Sequence, residues 1–260
     1  MPIRLVATDL DGTLLRSDGT LSARTQAALR AADEAGLMVV FVTARPLRWM
    51  DGLWPFVGSH GRAIVSNGAA VYDVPARQVI EVSGIDRDPG LQVVEAIRRG
   101  VPGTHFAIEC LFGIALEPSF NEPEDVPPDA PVGPMEQVWT EPALKLLARH
   151  DDVDPFGFRE AVVAAVGGAA TPTWTVDHLI EISAAGVTKG GTLARLCAGL
   201  GVAADEVVAC GDMPNDIPML QWAGTGVAVA NADPSVLAAA DAITASHDAD
   251  GVARVIEGLL

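Results

Sequence analysis

Apolar runs recur along this chain, and several of them stop on a polar residue. Ile3 to Thr8 is a short β-rich run that ends beside Asp9. "LMVVFVT" ends at Thr43, "AIVSNGAAVYD" turns at Asn67-Gly68, "EVVACGD" ends at Gly211-Asp212, and "TGVAVANA" follows. These runs are apolar on both faces, which predicts buried strands of a parallel sheet. Helical stretches alternate with them. "SARTQAALRAADEAG" carries Ser22 where an N-cap is expected and Gly36 where a helix should stop. "ARPLRWMDGLW" is expected to begin a second helix, "TKGGTLARLCAGLG" a third, and "MPNDIPMLQWAG" turns into a fourth. "PSVLAAADAITAS" reads as a helix followed by a short strand, and "LLRSDGTL" as a small hairpin or flap. Alternating strands and helices predict an α/β fold with a mainly parallel sheet. Ligands of such sheets gather beyond the carboxyl ends of the strands, where Asp9, Thr43 and Asn67 are expected.

The middle of the chain has a different texture, so residues 1–82 and 184–260 are assigned to one α/β core and 83–183 to an inserted α+β module. "DPGLQVVEAIRRG" and "FREAVVAAVGG" look helical, "HFAIECLFGIAL" looks like one or two strands, and "TWTVDHLIEIS" like another. Six prolines between Pro118 and Pro134 predict an extended loop, because proline removes backbone donors.

Composition narrows the partners. The net charge is −17 over 260 residues, which disfavours nucleic acid and anionic membrane surfaces. An anionic substrate would need local cations or a metal to overcome that field. Lysine occurs only at Lys145 and Lys189 among 17 basic residues, so each lysine position is informative. The three cysteines, Cys110, Cys197 and Cys210, are far apart and read as buried thiols in a reducing interior. No signal segment or long unbroken apolar stretch is visible, and a soluble cytoplasmic protein, monomer or homodimer, is expected.

Chemistry concentrates at the strand ends. Asp9 next to further carboxylates calls for a cation, and Mg²⁺ suits hard oxygen ligands. Asp212, with Asn215 and Asp216 one turn on, could bring such oxygens to Asp9 from a second strand end. A carboxylate can also attack phosphorus and form an aspartyl-phosphate. Thr43 can donate a hydrogen bond to the phosphate, and Lys189 and Arg45 can offset its charge. Lys189 is unusual at the start of a helix, where cations are disfavoured. Asp11, two residues past Asp9, can give a proton to the leaving group and later take one from water. Gly12 permits a sharp turn, and Thr13 could orient Asp11.

In chain order, "DLDGT", "VTAR", "TKGG" and "GDMPND" resemble the four motifs of the haloacid-dehalogenase-like phosphohydrolases. "SNGA" at Ser66 to Ala69 and the C-terminal "GVAVANADPSVLAAADAIT" and "DGVARVIEGLL" are similar to the Cof-type, sugar-phosphatase-like subgroup. The resemblance implies a Rossmann-like three-layer core with a C2-type cap. It implies Mg²⁺ held by Asp9, the backbone carbonyl of Asp11 and Asp212, with Asn215 and Asp216 supporting; Asp216 is counted with the metal residues and Asn215 with the phosphate-binding ones. Asp9 is then the nucleophile, Asp11 the acid/base, and Thr43, Lys189 and Arg45 the phosphate holders. The expected substrate is a small phosphorylated metabolite such as a sugar phosphate. A phosphotransferase or mutase and a phosphorylatable regulatory module are the alternatives. Glu109, Trp139, Trp174 and His178 are candidates to contact the leaving group, and Trp49 and Trp54 could face the cap.

Overall fold

Three apolar residues and a threonine, Leu5 to Thr8, make the first strand, and every one of them is buried. This is the position a largely apolar β-prone run takes, since each side chain then escapes water on one face or the other. A computed structural model of the protein describes residues 2–120 and 126–260. In chain order its elements are β1 (Leu5–Thr8), α1 (Ala23–Glu34), β2 (Met38–Val42), β3 (Arg62–Val65), β4 (Ala70–Asp73), β5 (Gln78–Val82), α2 (Arg87–Gly100), β6 (His105–Glu109) and β7 (Ile114–Leu116). There follow α3 (Met135–Val138), β8 (Lys145–Arg149), α4 (Pro155–Val166), β9 (Ala170–Thr173), β10 (Leu179–Ala184), α5 (Lys189–Leu200) and β11 (Val207–Gly211). The chain ends with α6 (Ile217–Trp222), β12 (Thr225–Val229), α7 (Pro234–Ala239), β13 (Ala242–Thr244) and α8 (Gly251–Glu257).

The chain divides into two compact units. One comprises residues 1–45, 49–81 and 188–260, and the other 46–48 and 82–187. The first holds a sheet in the order β13-β12-β11-β1-β2-β3-β4-β5. Its pairings from β13 through β3 are parallel, and β4 turns back antiparallel on β3. β1 lies between β11 and β2, so Asp9, Asp212 and Thr43 leave adjacent strands at the same sheet edge. Ser22 starts α1 as expected, accepting from the Thr25 N–H, and Thr188 caps α5 in the same way, accepting from the Gly191 N–H.

The second unit has a separate, wholly antiparallel sheet in the order β7-β6-β8-β10-β9. Its apolar face, including Phe106, Ile108, Leu146, Ile180 and Ile182, packs with residues of α2 and α4 into one cluster. The architecture is therefore α/β, with a mainly parallel core sheet and a separate antiparallel inserted one.

Several local expectations change. The stretch after Thr43 forms only two short 3₁₀ turns, Leu47–Trp49 and Trp54–Phe56, in place of a helix. Pro46 and Pro55 lack amide donors, and Gly52 between them favours a bend. The "LLRSDGTL" segment is a turn, closed by the Arg16 N–H on the Thr20 carbonyl, with no strand ladder. The strand β8 stands at the centre of the inserted sheet, although its "KLLAR" sequence announces itself poorly. In "TWTVDHLIEIS", two strands meet at a turn: β9 ends at Thr173 and β10 begins at Leu179. Part of the proline-rich loop, residues 121–125, lies outside the described residues. Beyond it, Pro131 and Gly133 bond with the Leu116 backbone without extending the sheet beyond an isolated bridge.

Candidate active site

The loop after β1 departs from any regular helix. Asp11 has an extended ψ of 123° and Gly12 a φ of 75°, so the chain reverses within two residues. Only glycine adopts such a φ without strain. There is a second requirement: a Cβ on Gly12 would fall 2.3 Å from Asp212 Oδ2. The turn sends the two aspartates of "DLDGT" to different environments. The Asp9 side chain is buried, with 7% exposure, whereas that of Asp11 is 58% exposed.

Asp9 faces Asp212 and Asp216, and one carboxylate oxygen from each lies within 4.8 Å of the others. Lys189, the first residue of α5, is also buried. Its Nζ stands 2.8 Å from Asp9 Oδ1 and 2.6 Å from Asp216 Oδ1. The start of α5 is closely packed at Gly190, where a Cβ would meet the Pro218 backbone at 2.4 Å. Asp216 is further fixed by the amides of Asp212 and Met213, at 3.0 and 3.1 Å from its Oδ2. Thr13 donates to Asp212 Oδ1 at 2.6 Å, so its hydroxyl orients Asp212 and not Asp11.

Three carboxylates surround a single ammonium, a formal excess of two negative charges in a buried site. Burial raises Asp9 well above the usual carboxylate range, against the pull of Lys189, and Asp216 and Asp212 raise it further. Burial likewise pushes Asp212 up to about 6, with the Thr13 hydrogen bond opposing. For Lys189, burial works to lower the pKa, but Asp216 and Asp9 outweigh it and hold the ammonium above its ordinary range. A cluster that resists full ionisation has either to bind protons or to bind a cation. Hard carboxylate oxygens and an excess of two negative charges fit a divalent ion of the Mg²⁺ class. Asn215 Oδ1, buried and without a hydrogen-bond partner, adds another oxygen in the same turn as Asp216.

The remaining expected residues sit around this cluster in distinct ways. Arg45 does not stand alone: its Nε and Nη2 grip both oxygens of Asp11, at 2.7 and 2.6 Å. Thr43 is buried and its hydroxyl accepts the Arg45 N–H at 3.0 Å, a bond that leaves its own proton to donate. Asn215 donates through Nδ2 to Asn67 Oδ1 at 3.0 Å. Asn67 was visible only as a strand-end polar residue, and its link to a side chain 148 positions away carries no signal in sequence spacing.

The inserted unit separates its own candidates. Trp139 belongs to the hydrophobic core and packs against Gly90, where a Cβ would come within 2.0 Å of the ring. It is therefore withdrawn as a leaving-group contact. Trp174 lies beneath the guanidinium of Arg159, and His178 Nδ1 is 3.1 Å from the His150 carbonyl. Glu109 is buried and paired with Arg48 at 2.7 Å. All three cysteines are free and buried. No helix among the described residues is long and apolar enough to cross a membrane.

Comparison with known proteins agrees with this geometry. A family model described as haloacid dehalogenase-like hydrolase matches residues 6–256. A pyridoxal phosphate phosphatase of Escherichia coli (strain K12) is 30% identical, over 98% of each chain. A phosphoglycolate phosphatase of Natronomonas pharaonis is also 30% identical, over 97% of this chain and 96% of its own. Among solved structures, a haloacid dehalogenase-like hydrolase from Bacillus subtilis superposes with a TM-score of 0.82 at 25% identity, covering 99% of this chain and 100% of that one.

Proposed function

Because the chain belongs to the haloacid dehalogenase-like hydrolase family and is a phosphatase of that type, we propose that it hydrolyses a small phosphomonoester in a Mg²⁺-dependent reaction through a phosphorylated Asp9. The observation that carries this reading is the buried set of Asp9, Asp212 and Asp216 around Lys189. Asp9, Asp212 and Asp216 would hold the metal, with the Asp11 carbonyl and Asn215 beside them. Bound there, Mg²⁺ would offset the charge of the carboxylates and of the incoming phosphate.

Asp9 attacks phosphorus with a carboxylate oxygen, and the bond from phosphorus to the leaving oxygen breaks. Lys189 holds Oδ1 of the nucleophile and supplies a fixed positive charge at the site. Asp11 protonates the departing alkoxide. Its exposure suits this task, since it must then take a proton from the water that attacks phosphorus and frees Asp9. Thr43 donates its hydroxyl to the phosphate. Arg45 holds Asp11 in the free site, and a phosphate competes for the same pair of N–H donors.

The relatives act, by their names, on pyridoxal phosphate and on phosphoglycolate, so the phosphate end is shared and the leaving group is not. We assign this chain a small phosphorylated metabolite, with sugar phosphates the first class to assay. The test is a panel of phosphomonoesters with p-nitrophenyl phosphate, with and without Mg²⁺, and with Asp9→Asn as control. Mg²⁺-dependent phosphate release that disappears in the variant supports the reading. Full activity in Asp9→Asn, or none in the wild type with Mg²⁺, contradicts it.

A further inference from the structure

The turn between β3 and β4 is strained in an unusual way. Ser66, Asn67 and Gly68 all have positive φ, of 51°, 58° and 102°. Two of these residues are not glycine, and such a run costs free energy that the surroundings have to repay. All three are buried. The strain is repaid by contacts to three of the four other motif segments. The Asn67 N–H donates to the Thr43 carbonyl at 3.0 Å, and the Ser66 N–H to the Arg45 carbonyl at 2.9 Å. The Gly68 carbonyl accepts from Thr192 Oγ1 of α5 at 2.8 Å, and a Cβ on Gly68 would lie 2.5 Å from the Thr188 carbonyl, just before Lys189. The Asn67 side chain makes the remaining link, accepting from Asn215 Nδ2 at 3.0 Å.

That link fixes a choice that Asn215 cannot make alone. A carboxamide can present oxygen or nitrogen to either side, and its neighbours decide which. With Nδ2 engaged by Asn67, Asn215 is left with Oδ1 buried and without a hydrogen-bond partner. An unsatisfied buried oxygen is costly, so its persistence beside Asp216 points to a cation, directly or through water. We propose that Asn67 is a positioning residue for the cation site, acting by holding the Asn215 amide so that its oxygen serves the ion. The inference rests on the phosphatase reading above. Asn67 works through Asn215, whose Nδ2 it holds, much as partners beyond the metal ligands orient those ligands in known sites.

The test measures Mg²⁺ affinity by calorimetry on the purified chain, independently of turnover, alongside p-nitrophenyl phosphate kinetics. Asn67→Gly keeps the backbone geometry, because glycine tolerates φ near 58°, and removes only the side chain. It should raise the Mg²⁺ Kd by roughly 10-fold or more. Asn215→Ala should do the same, and the double variant should be no weaker than either single one. Asn67→Asp, which keeps an acceptor for Asn215 Nδ2, should stay within about threefold of wild type, and it carries the test if Asn67→Gly does not fold: a Kd raised by roughly 10-fold or more in Asn67→Asp overturns the inference. An unchanged Kd in Asn67→Gly, or additive losses in the double variant, also overturns it while leaving the phosphatase reading intact. A wild type that neither binds Mg²⁺ nor releases phosphate overturns both.

Discussion

Gly12 lies so close to Asp212 that a Cβ on it would sit 2.3 Å from Asp212 Oδ2. The turn that separates Asp9 from Asp11 is thus also the wall against which the second strand-end carboxylate rests. Thr13 holds the other oxygen of the same carboxylate, and Asn231 Nδ2 anchors the Gly12 carbonyl at 2.8 Å. Gly12→Ala should push Asp212 out of place and strain the φ of 75° as well. We expect a stability loss of about 1–3 kcal/mol and a weakened Mg²⁺ affinity, read by chemical denaturation and by calorimetry.

Lys189 is the sole cation in contact with the acidic cluster among the described residues, and it is buried with two carboxylates. Lys189→Met keeps the length and removes the charge. Breaking a buried pair in this way typically costs about 3–5 kcal/mol. The variant should be destabilised by that order when metal is chelated, and added Mg²⁺ should narrow the gap. Loss of the charge at the phosphate should lower kcat by roughly 10²-fold or more, measured with p-nitrophenyl phosphate at saturating Mg²⁺.

The pH dependence of the metal-free protein follows from Asp212. Its folded pKa is raised to about 6 from an ordinary 3.8, mainly by burial. The native state therefore holds this proton more tightly than the unfolded chain. Its contribution to stability is present in full below the ordinary value and is lost as pH rises through about 6. With metal chelated, Asp212→Asn should be more stable than wild type at pH 7, by on the order of 1–3 kcal/mol. The difference should shrink towards pH 5. Denaturation of the two proteins at both pH values checks it, and an advantage that grows on acidification contradicts the assignment.

Asp11→Asn separates the two proton transfers. An alkyl phosphate needs its leaving group protonated, whereas p-nitrophenolate leaves without much help. The variant should lose about 10²–10⁴-fold with an alkyl phosphate and less with p-nitrophenyl phosphate, where only the water step suffers. Equal losses with both substrates would place Asp11 outside the leaving-group step.

The thiols give a control that is independent of catalysis. Burial pushes Cys110 and Cys210 up to about 12 and Cys197 to about 11, so none is a thiolate near neutral pH. Ellman's reagent at pH 8 should find almost no reactive thiol in the native protein and three after denaturation.

Much of this site is legible from sequence, because four motifs, three at strand ends and one at a helix start, carry residue types with narrow uses. Lys189 stood out by chemistry alone: a lysine in an arginine-rich chain, at a helix start that disfavours cations. Its position beside Asp9 and Asp216 supplies the physical reason, since their carboxylates outweigh the local helix field. The direction of Thr13 was not legible. Spacing suggested Asp11, but the non-helical turn at Asp11 and Gly12 rotates its hydroxyl onto Asp212. Arg45 likewise looked like a cation awaiting phosphate, and its grip on Asp11 depends on a loop 34 residues away. Trp139 was a candidate to contact the leaving group, yet Gly90 on a distant helix makes a slot for its ring in the core. The central strand β8 escaped notice because buried Lys145 interrupts its apolar pattern, and that charge is balanced by Glu181 on the neighbouring strand. In each case the missing information was a long-range partner, which periodicity along the chain does not encode.

The claim that Asp9 attacks phosphorus is tested most directly by quenching the enzyme in acid during turnover and mapping the phosphoryl group by mass spectrometry. The account predicts a phosphoryl group on the peptide bearing Asp9, discharged by hydroxylamine as an acyl phosphate should be, and absent from Asp9→Asn. A phosphoryl group on another residue, or undiminished hydrolysis by Asp9→Asn, would contradict it.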